Sequence, residues 1–208
     1  MKKSALLLAS AGLALGLSAN TQAAQIYSTD FESGVDSNWS GQTPSSSNST
    51  FTNFLGRLGN GATTFSVDGL GAGTREVTVE FDLYLIDSWD GDHWYWGTDR
   101  FNVSGDYSDS WILPTDEDEL NYESNTRGHY GYSHWGDEIY RGVSFTFMHT
   151  GDDLSLSFFG SGLQRLNDES WGIDNFTVTT TDVPEPGVLA MFGLGLVGLG
   201  FARKKAKA

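Results

Sequence analysis

Hydrophobic and polar residues alternate with a period of two along several stretches of this chain. The clearest is 75–86, where Val77, Val79, Phe81, Leu83 and Leu85 take every second position, with Thr78, Glu80 and Asp82 among the residues between them. Such a period turns successive side chains to opposite faces, so the stretch predicts a half-buried strand. Val143, Phe145 and Phe147, spaced by Ser144 and Thr146, predict a second. Leu154, Leu156 and Phe158, spaced by Ser155 and Ser157, predict a third, with Thr150-Gly151-Asp152-Asp153 as a hairpin between these two. Shorter strands are expected at 25–32, 50–58, 62–67, 100–103 and 110–113, and a last one at 171–180. Leu58-Gly59-Asn60-Gly61 contains Asn-Gly, a hairpin signal. No window outside the two termini has helical periodicity. Short strands between Gly-rich turns predict an all-β sandwich.

Between Asp87 and Tyr140 the alternation loosens into long loop, where a sandwich usually carries its binding residues. This stretch holds Trp89, Trp94, Trp96, Trp111 and Trp135 and six Tyr. Trp89, Trp94, Tyr95 and Trp96 stand beside Asp90, Asp92 and His93. Flat rings next to carboxylates suit a sugar, whose C–H face stacks while its hydroxyls take hydrogen bonds. The same rings could instead cap one end of the core.

Both ends of the chain have a different character. Lys2 and Lys3 precede an apolar run from Ala5 to Leu17 and the small, polar residues Ser18 to Ala24. This is the layout of a secretory signal peptide over residues 1–24. At the other end, 183–208, Pro184-Glu185-Pro186 precedes the apolar run 187–202, and Arg203, Lys204, Lys205 and Lys207 follow. Proline fixes φ and removes backbone donors, which keeps the triplet extended and accessible. As a helix, 16 residues reach about 24 Å, short for a bilayer core of about 30 Å. The basic end would stay on the cytoplasmic side. This tripartite tail resembles the PEP-CTERM sorting signal of Gram-negative bacteria. The resemblance implies an exosortase, a membrane transpeptidase, as partner: it would recognise Pro184, Glu185 and Pro186 and remove the transmembrane sorting helix after a transient stay in the inner membrane. The body, 25–182, would then reach the cell surface or exopolysaccharide matrix.

Charge narrows the partners of that body. From Asp30 to Glu185 the chain carries all 27 acidic residues against six Arg and no Lys, a formal charge near −21. Nucleic acid and anionic lipid would be repelled. Neutral glycans and divalent cations would not. The chain has no Cys, so an exported fold here depends on its core, or on a metal.

The opening Asp30-Phe31-Glu32 and the closing Trp171-Gly172-Ile173-Asp174-Asn175-Phe176 resemble the first and last strands of galactose-binding-like, MAM-like or lectin-like jelly rolls, although the MAM cysteines are absent. That resemblance implies a jelly-roll-type β-sandwich. It also implies a structural calcium where the terminal strands meet, held by Asp30, Glu32, Asp174 and Asn175; calcium takes six to eight oxygens.

Catalytic patterns fail. Glu80-Phe81-Asp82 begins the E-x-D-x-x-E of laminarinase-type glycosidases, but Leu85 stands in the last position. The four His lack zinc spacing, and Gly193-Leu194-Gly195-Leu196-Val197-Gly198 lies inside the apolar tail with no strand before it. The expectation is a non-enzymatic surface or matrix protein, structural or glycan-binding. The alternatives are a secreted polysaccharide-active enzyme and an adhesin or ice-binding-like protein.

Overall fold

The strand with the strictest alternation forms as Thr74–Asp87, and the core is built on it. The computed structural model describes residues 22–183, apart from Ser49, Gly131, Ser133 and His134, together with Gly193 and Gly195. The sorting triplet Pro184, Glu185 and Pro186, the basic end, and nearly all of the signal segment and apolar run therefore lie outside the described residues. Among the described residues, no helix is long and apolar enough to cross a membrane.

Fourteen strands run through the described residues: β1 (Ala24–Thr29), β2 (Trp39–Gly41), β3 (Ser45–Ser46), β4 (Phe54–Leu58), β5 (Ala62–Val67), β6 (Thr74–Asp87) and β7 (Asp92–His93). They continue as β8 (Gly97–Thr98), β9 (Arg100–Gly105), β10 (Asp109–Ile112), β11 (Ser124–Gly128), β12 (Asp137–Thr150), β13 (Leu154–Ser161) and β14 (Glu169–Asp182). A large antiparallel sheet has the order β11-β12-β6-β14-β4-β3, with β1 beside the far half of β14. A second has the order β10-β9-β13-β5-β2, and β7 pairs only with β8.

The two larger sheets face each other. Val77, Val79, Phe81, Leu83, Ile173, Phe176 and Val178 of the large sheet share one buried cluster with Phe65, Phe101, Val103, Leu154, Leu156 and Phe158 of the other. Phe81 meets Phe101 at 6.0 Å and Phe158 at 5.6 Å between ring centroids. Each such side chain taken from water contributes about 1.5–3 kcal/mol, so the alternation of β6 is itself the main force holding the layers. The outward faces carry hydroxyls: Thr78 meets Thr146 at 2.8 Å and Thr64 meets Ser157 at 2.7 Å.

Two expected hairpins are corners instead. β4 lies in the large sheet and β5 in the smaller one, so Leu58-Gly59-Asn60-Gly61 carries the chain between layers. Asn60 serves this crossing with its side chain, donating to the Leu163 carbonyl at 2.7 Å and accepting from the Leu163 N–H at 3.0 Å. The turn Thr150-Gly151-Asp152-Asp153 likewise joins β12 of one sheet to β13 of the other. Turn chemistry sets the local bend, whereas the sheet a strand joins is decided by where its apolar face is buried.

At one end the large sheet is covered on both sides. The last six residues of β6 are all buried, because Phe51, Phe54, Tyr84, Ile86 and Ile139 form a second cluster on its outer face. That end leads directly into the loops of the candidate site.

Candidate functional site

β6 ends at Asp87, whose φ of 71° turns the chain sharply out of the sheet. Arg57 holds the turn through an ion pair with Asp87 at 2.8 Å. The next residue, Ser88, donates its N–H to the Asp168 carbonyl at 2.9 Å and its hydroxyl to the Asp168 carboxylate at 3.1 Å. Trp89 then turns inward. It is buried in the main core and donates Nε1–H to the Ser170 carbonyl at 2.8 Å. The sequence placed Trp89 among the sugar-facing rings; the structure places it in the core, with its polar N–H spent on backbone.

The other three aromatics go the opposite way. The short β7–β8 hairpin projects Trp94, Tyr95 and Trp96 at its tip, with exposures of 90%, 65% and 55%. His93 Nδ1 shapes the tip by accepting the backbone N–H groups of Tyr95 at 3.2 Å and Trp96 at 3.3 Å. These rings therefore do not cap the core. Tyr95 stands at right angles to Trp96, with centroids 4.6 Å apart.

Trp96 forms one side of a cleft of about 360 Å³ that is also lined by Ser88, Asp90, Trp135, Gln164 and Asp168. Trp135, 59% exposed, comes from the segment before β12, and Gln164 and Asp168 from the loop before β14. Three loops separate in sequence thus meet at one end of the sandwich. Sequence reasoning included Trp96 and Asp90 but missed Trp135, Gln164, Asp168 and Ser88 as parts of one site. Only Trp135 gave any signal, as another Trp in the aromatic-rich stretch.

Behind this cleft lie two buried carboxylates, Asp99 and Glu169. The oxygens of Asp90, Asp99 and Glu169 fall within 4.8 Å of one another. The Asp90 N–H donates to Asp99 at 2.6 Å, and Gln164 Nε2 donates to Glu169 at 3.0 Å. Burial, reinforced by the neighbouring charges of Asp99, Asp90 and Asp168, pushes Glu169 up to about 7. Burial pushes Asp99 up to about 6, against the lowering effect of the Asp90 N–H bond. Neither group forms an ion pair with Arg or His among the described residues. The donor set suits a hard cation, but no second feature of the site points to one.

The four residues expected to hold calcium are only partly brought together. Asp30 and Asn175 line one hollow with Ser28, Thr29 and Thr177. Glu32 is drawn aside to Asn53, accepting its N–H at 3.1 Å and its side-chain amide at 3.3 Å. Asp174 is buried and uses both oxygens, one on the Tyr84 hydroxyl and one on the Asn175 N–H, each at 2.8 Å. Burial raises Asp174 to about 6. Asn175, at φ 49° in a bulge of β14, points its amide at Asp82, 3.0 Å away. As arranged, these side chains bond to protein partners and do not form a coordination shell.

Three solved structures align with most of the chain, each at a low TM-score. The xylan-binding domain CBM22-1 of Xyn10C from Paenibacillus barcinonensis is 11% identical, with 77% of this chain and 97% of that one covered at a TM-score of 0.43. The C-terminal CBM6 of LamC, a marine laminarinase from Zobellia galactanivorans, is 14% identical, covering 78% and 100% at 0.33. The winged bean acidic lectin is 12% identical, covering 79% and 100% at 0.32. No curated protein matches the chain in sequence. Residues 182–205 match the PEP-CTERM protein-sorting motif. The chain therefore carries a PEP-CTERM sorting signal behind an all-β sandwich, and the signal indicates export and sorting to the cell surface.

Proposed function

We propose that the exported body is a non-enzymatic glycan-binding component of the cell surface or extracellular matrix. One observation carries this reading: Trp96 and Trp135 line a cleft whose other lining residues, among those described, are all polar. Large aromatics left in water on one side of a soluble domain mark a contact surface, and rings beside hydrogen-bonding groups match the two kinds of surface a sugar presents. Affinity electrophoresis through gels containing soluble polysaccharides tests it. The wild-type body is retarded by at least one polysaccharide, and Trp96→Ala and Trp135→Ala lose that retardation while keeping their melting temperature. Absence of retardation by every polysaccharide rejects the reading.

Asp90 and Asp168 both line the cleft, which is the observation that favours hydrolysis as a second reading. Turnover of any chromogenic glycoside by the purified body would replace binding with catalysis.

At the tail, an exosortase-type transpeptidase recognises Pro184, Glu185 and Pro186, and the anchor that follows is removed after transient residence in the inner membrane. Intact mass of surface-extracted protein tests this; retention of 187–208 rejects it. A structural calcium at Asp30 and Asn175 belongs to the same reading, with Glu32 and Asp174 leaving their present partners to complete the shell. Calcium added to chelated protein then releases heat and raises Tm, and Asp30→Asn abolishes both; no heat and no shift remove calcium from the reading.

A further inference from the structure

The cleft has a charge that narrows its ligand further than aromatic stacking does. Asp90 and Asp168 line it, and Asp99 and Glu169 stand directly behind. Among the described residues, no basic side chain lines it. Of the six Arg of the body, Arg57, Arg127 and Arg141 are engaged by Asp87, by Glu117 and Glu138, and by Asp82. Arg75 is buried against the carbonyls of Leu70 and Gly71, and Arg100 reaches the Ser110 hydroxyl at 3.5 Å and does not line the cleft. Arg165 shares the loop of Gln164 and Asp168 but does not line the cleft. Among the described residues, no ion pair neutralises any of the four carboxylates around the cleft.

Two of the four are almost wholly out of water, Asp99 at 2% and Glu169 at 0% exposure, and burial raises both, so the charge that a ligand meets is chiefly that of Asp90 and Asp168. The upward shift of Glu169, caused first by burial and then by Asp99, Asp90 and Asp168, shows that these groups feel one another. An anionic sugar entering here meets repulsion from Asp90 and Asp168. A neutral one gains only stacking and hydrogen bonds. A sugar bearing an ammonium gains an ion pair with Asp90 or Asp168 and cation–π attraction to Trp96 and Trp135.

We propose that the cleft between Trp96 and Trp135 selects a cationic amino-sugar polysaccharide, a hexosamine polymer with free amines, with Asp90 and Asp168 as its specificity-determining residues. This rests on the glycan-binding reading above and names its substrate class. Glycan supplies the C–H face for the rings, and the amine supplies the charge for the acids.

The test compares four soluble polymers on the purified body in chelating buffer, at a pH where the amine is protonated: polyglucosamine, its N-acetylated form, a neutral glucan and a polyuronate. Oligolysine is a fifth probe. Polyglucosamine is expected to bind more tightly than the N-acetylated and neutral polymers, and polyuronate to give no binding. Added salt weakens the polyglucosamine interaction and leaves neutral binding nearly unchanged. Asp90→Asn and Asp168→Asn each lower polyglucosamine affinity on the order of fivefold, a larger loss than either causes for the neutral polymer, and circular dichroism checks that each folds. If either variant misfolds, the salt dependence of the wild type decides in its place. Neutral or N-acetylated polymer binding as tightly as polyglucosamine overturns this inference and leaves glycan binding standing. Oligolysine binding as tightly also overturns it, because charge alone would then suffice. No binding of any sugar polymer overturns the glycan reading itself.

Discussion

Trp89 and Trp96 stand seven positions apart, and their surroundings in the sequence are alike: acids, glycines and further aromatics. One is packed into the core and the other is half exposed. The difference arises at Asp87, where a left-handed turn breaks the alternation, so the rule that sorted Val77 through Leu85 no longer applies. What decides is the Ser170 carbonyl, a partner for the Trp89 N–H delivered from a strand some eighty residues away. Such a partner cannot be read from local pattern. Truncation should separate the rings clearly: Trp89→Ala is expected to cost about 3–5 kcal/mol, while Trp94→Ala stays within about 0.5 kcal/mol, both by urea denaturation. Glu169 adds a pH dependence. Its carboxyl is raised in the folded chain to about 7, so its contribution is fully present below the ordinary glutamate value and is lost as pH rises through the folded one. Asp99, raised to about 6, acts in the same direction. Tm should therefore fall between about pH 4.5 and pH 7, by the equivalent of about 3 kcal/mol for Glu169. Glu169→Gln removes its share of that slope and leaves the parts due to Asp99 and Asp174; a Tm that rises across the same interval contradicts the assignment.

At the scale of elements, the strands were legible because period two is a local property and the core rewards it. Expected strands at 62–67, 75–86 and 171–180 appear as Ala62–Val67, Thr74–Asp87 and Glu169–Asp182. The small strands of the long loop, Asp92–His93, Gly97–Thr98 and Ser124–Gly128, show no alternation, and only their pairing defines them. Connections were the weak point. Both turns expected to make hairpins lead from one sheet to the other, because Asn-Gly and Gly-Asp specify a bend and carry no information about the layer that receives the next strand. Asn60 shows what the corner requires: its side-chain amide makes both a donor and an acceptor bond to the Leu163 backbone. Asn60→Ala is expected to lower stability by about 1–3 kcal/mol, measured by denaturant unfolding, a larger loss than an exposed hairpin Asn would give. The cleft was half legible for the same reason. Its two Trp, with Ser88 and Asp90, came from one stretch, and Gln164 and Asp168 came from a loop that only the fold brings near.

Over the whole molecule, the two sources of information are complementary. The tail motif is read from sequence and lies beyond the described residues, whereas the meeting of three loops at one end of the sandwich is visible only in the fold. Where β14 lies also bears on how the protein is made. This strand is the last of the body, yet it sits inside the large sheet, between β6 on one side and β4 and β1 on the other. Its Trp171, Ile173, Phe176 and Val178 are wholly buried. Pairings this distant in sequence make folding slow and leave nothing cooperative to form until the last partner arrives. Deleting 169–182 should accordingly yield a chain with no cooperative thermal transition by calorimetry, whereas deleting 184–208 should leave the transition intact. A chain threaded across the membrane from its N-terminus could therefore not close this sheet until almost all of the body had crossed. The sorting triplet follows Asp182 by a single intervening residue, so the large sheet can close only as that triplet itself emerges. If the triplet is cleaved as proposed, completion of the fold and presentation of that handle would be a single event in time, sparing unfinished chains from release.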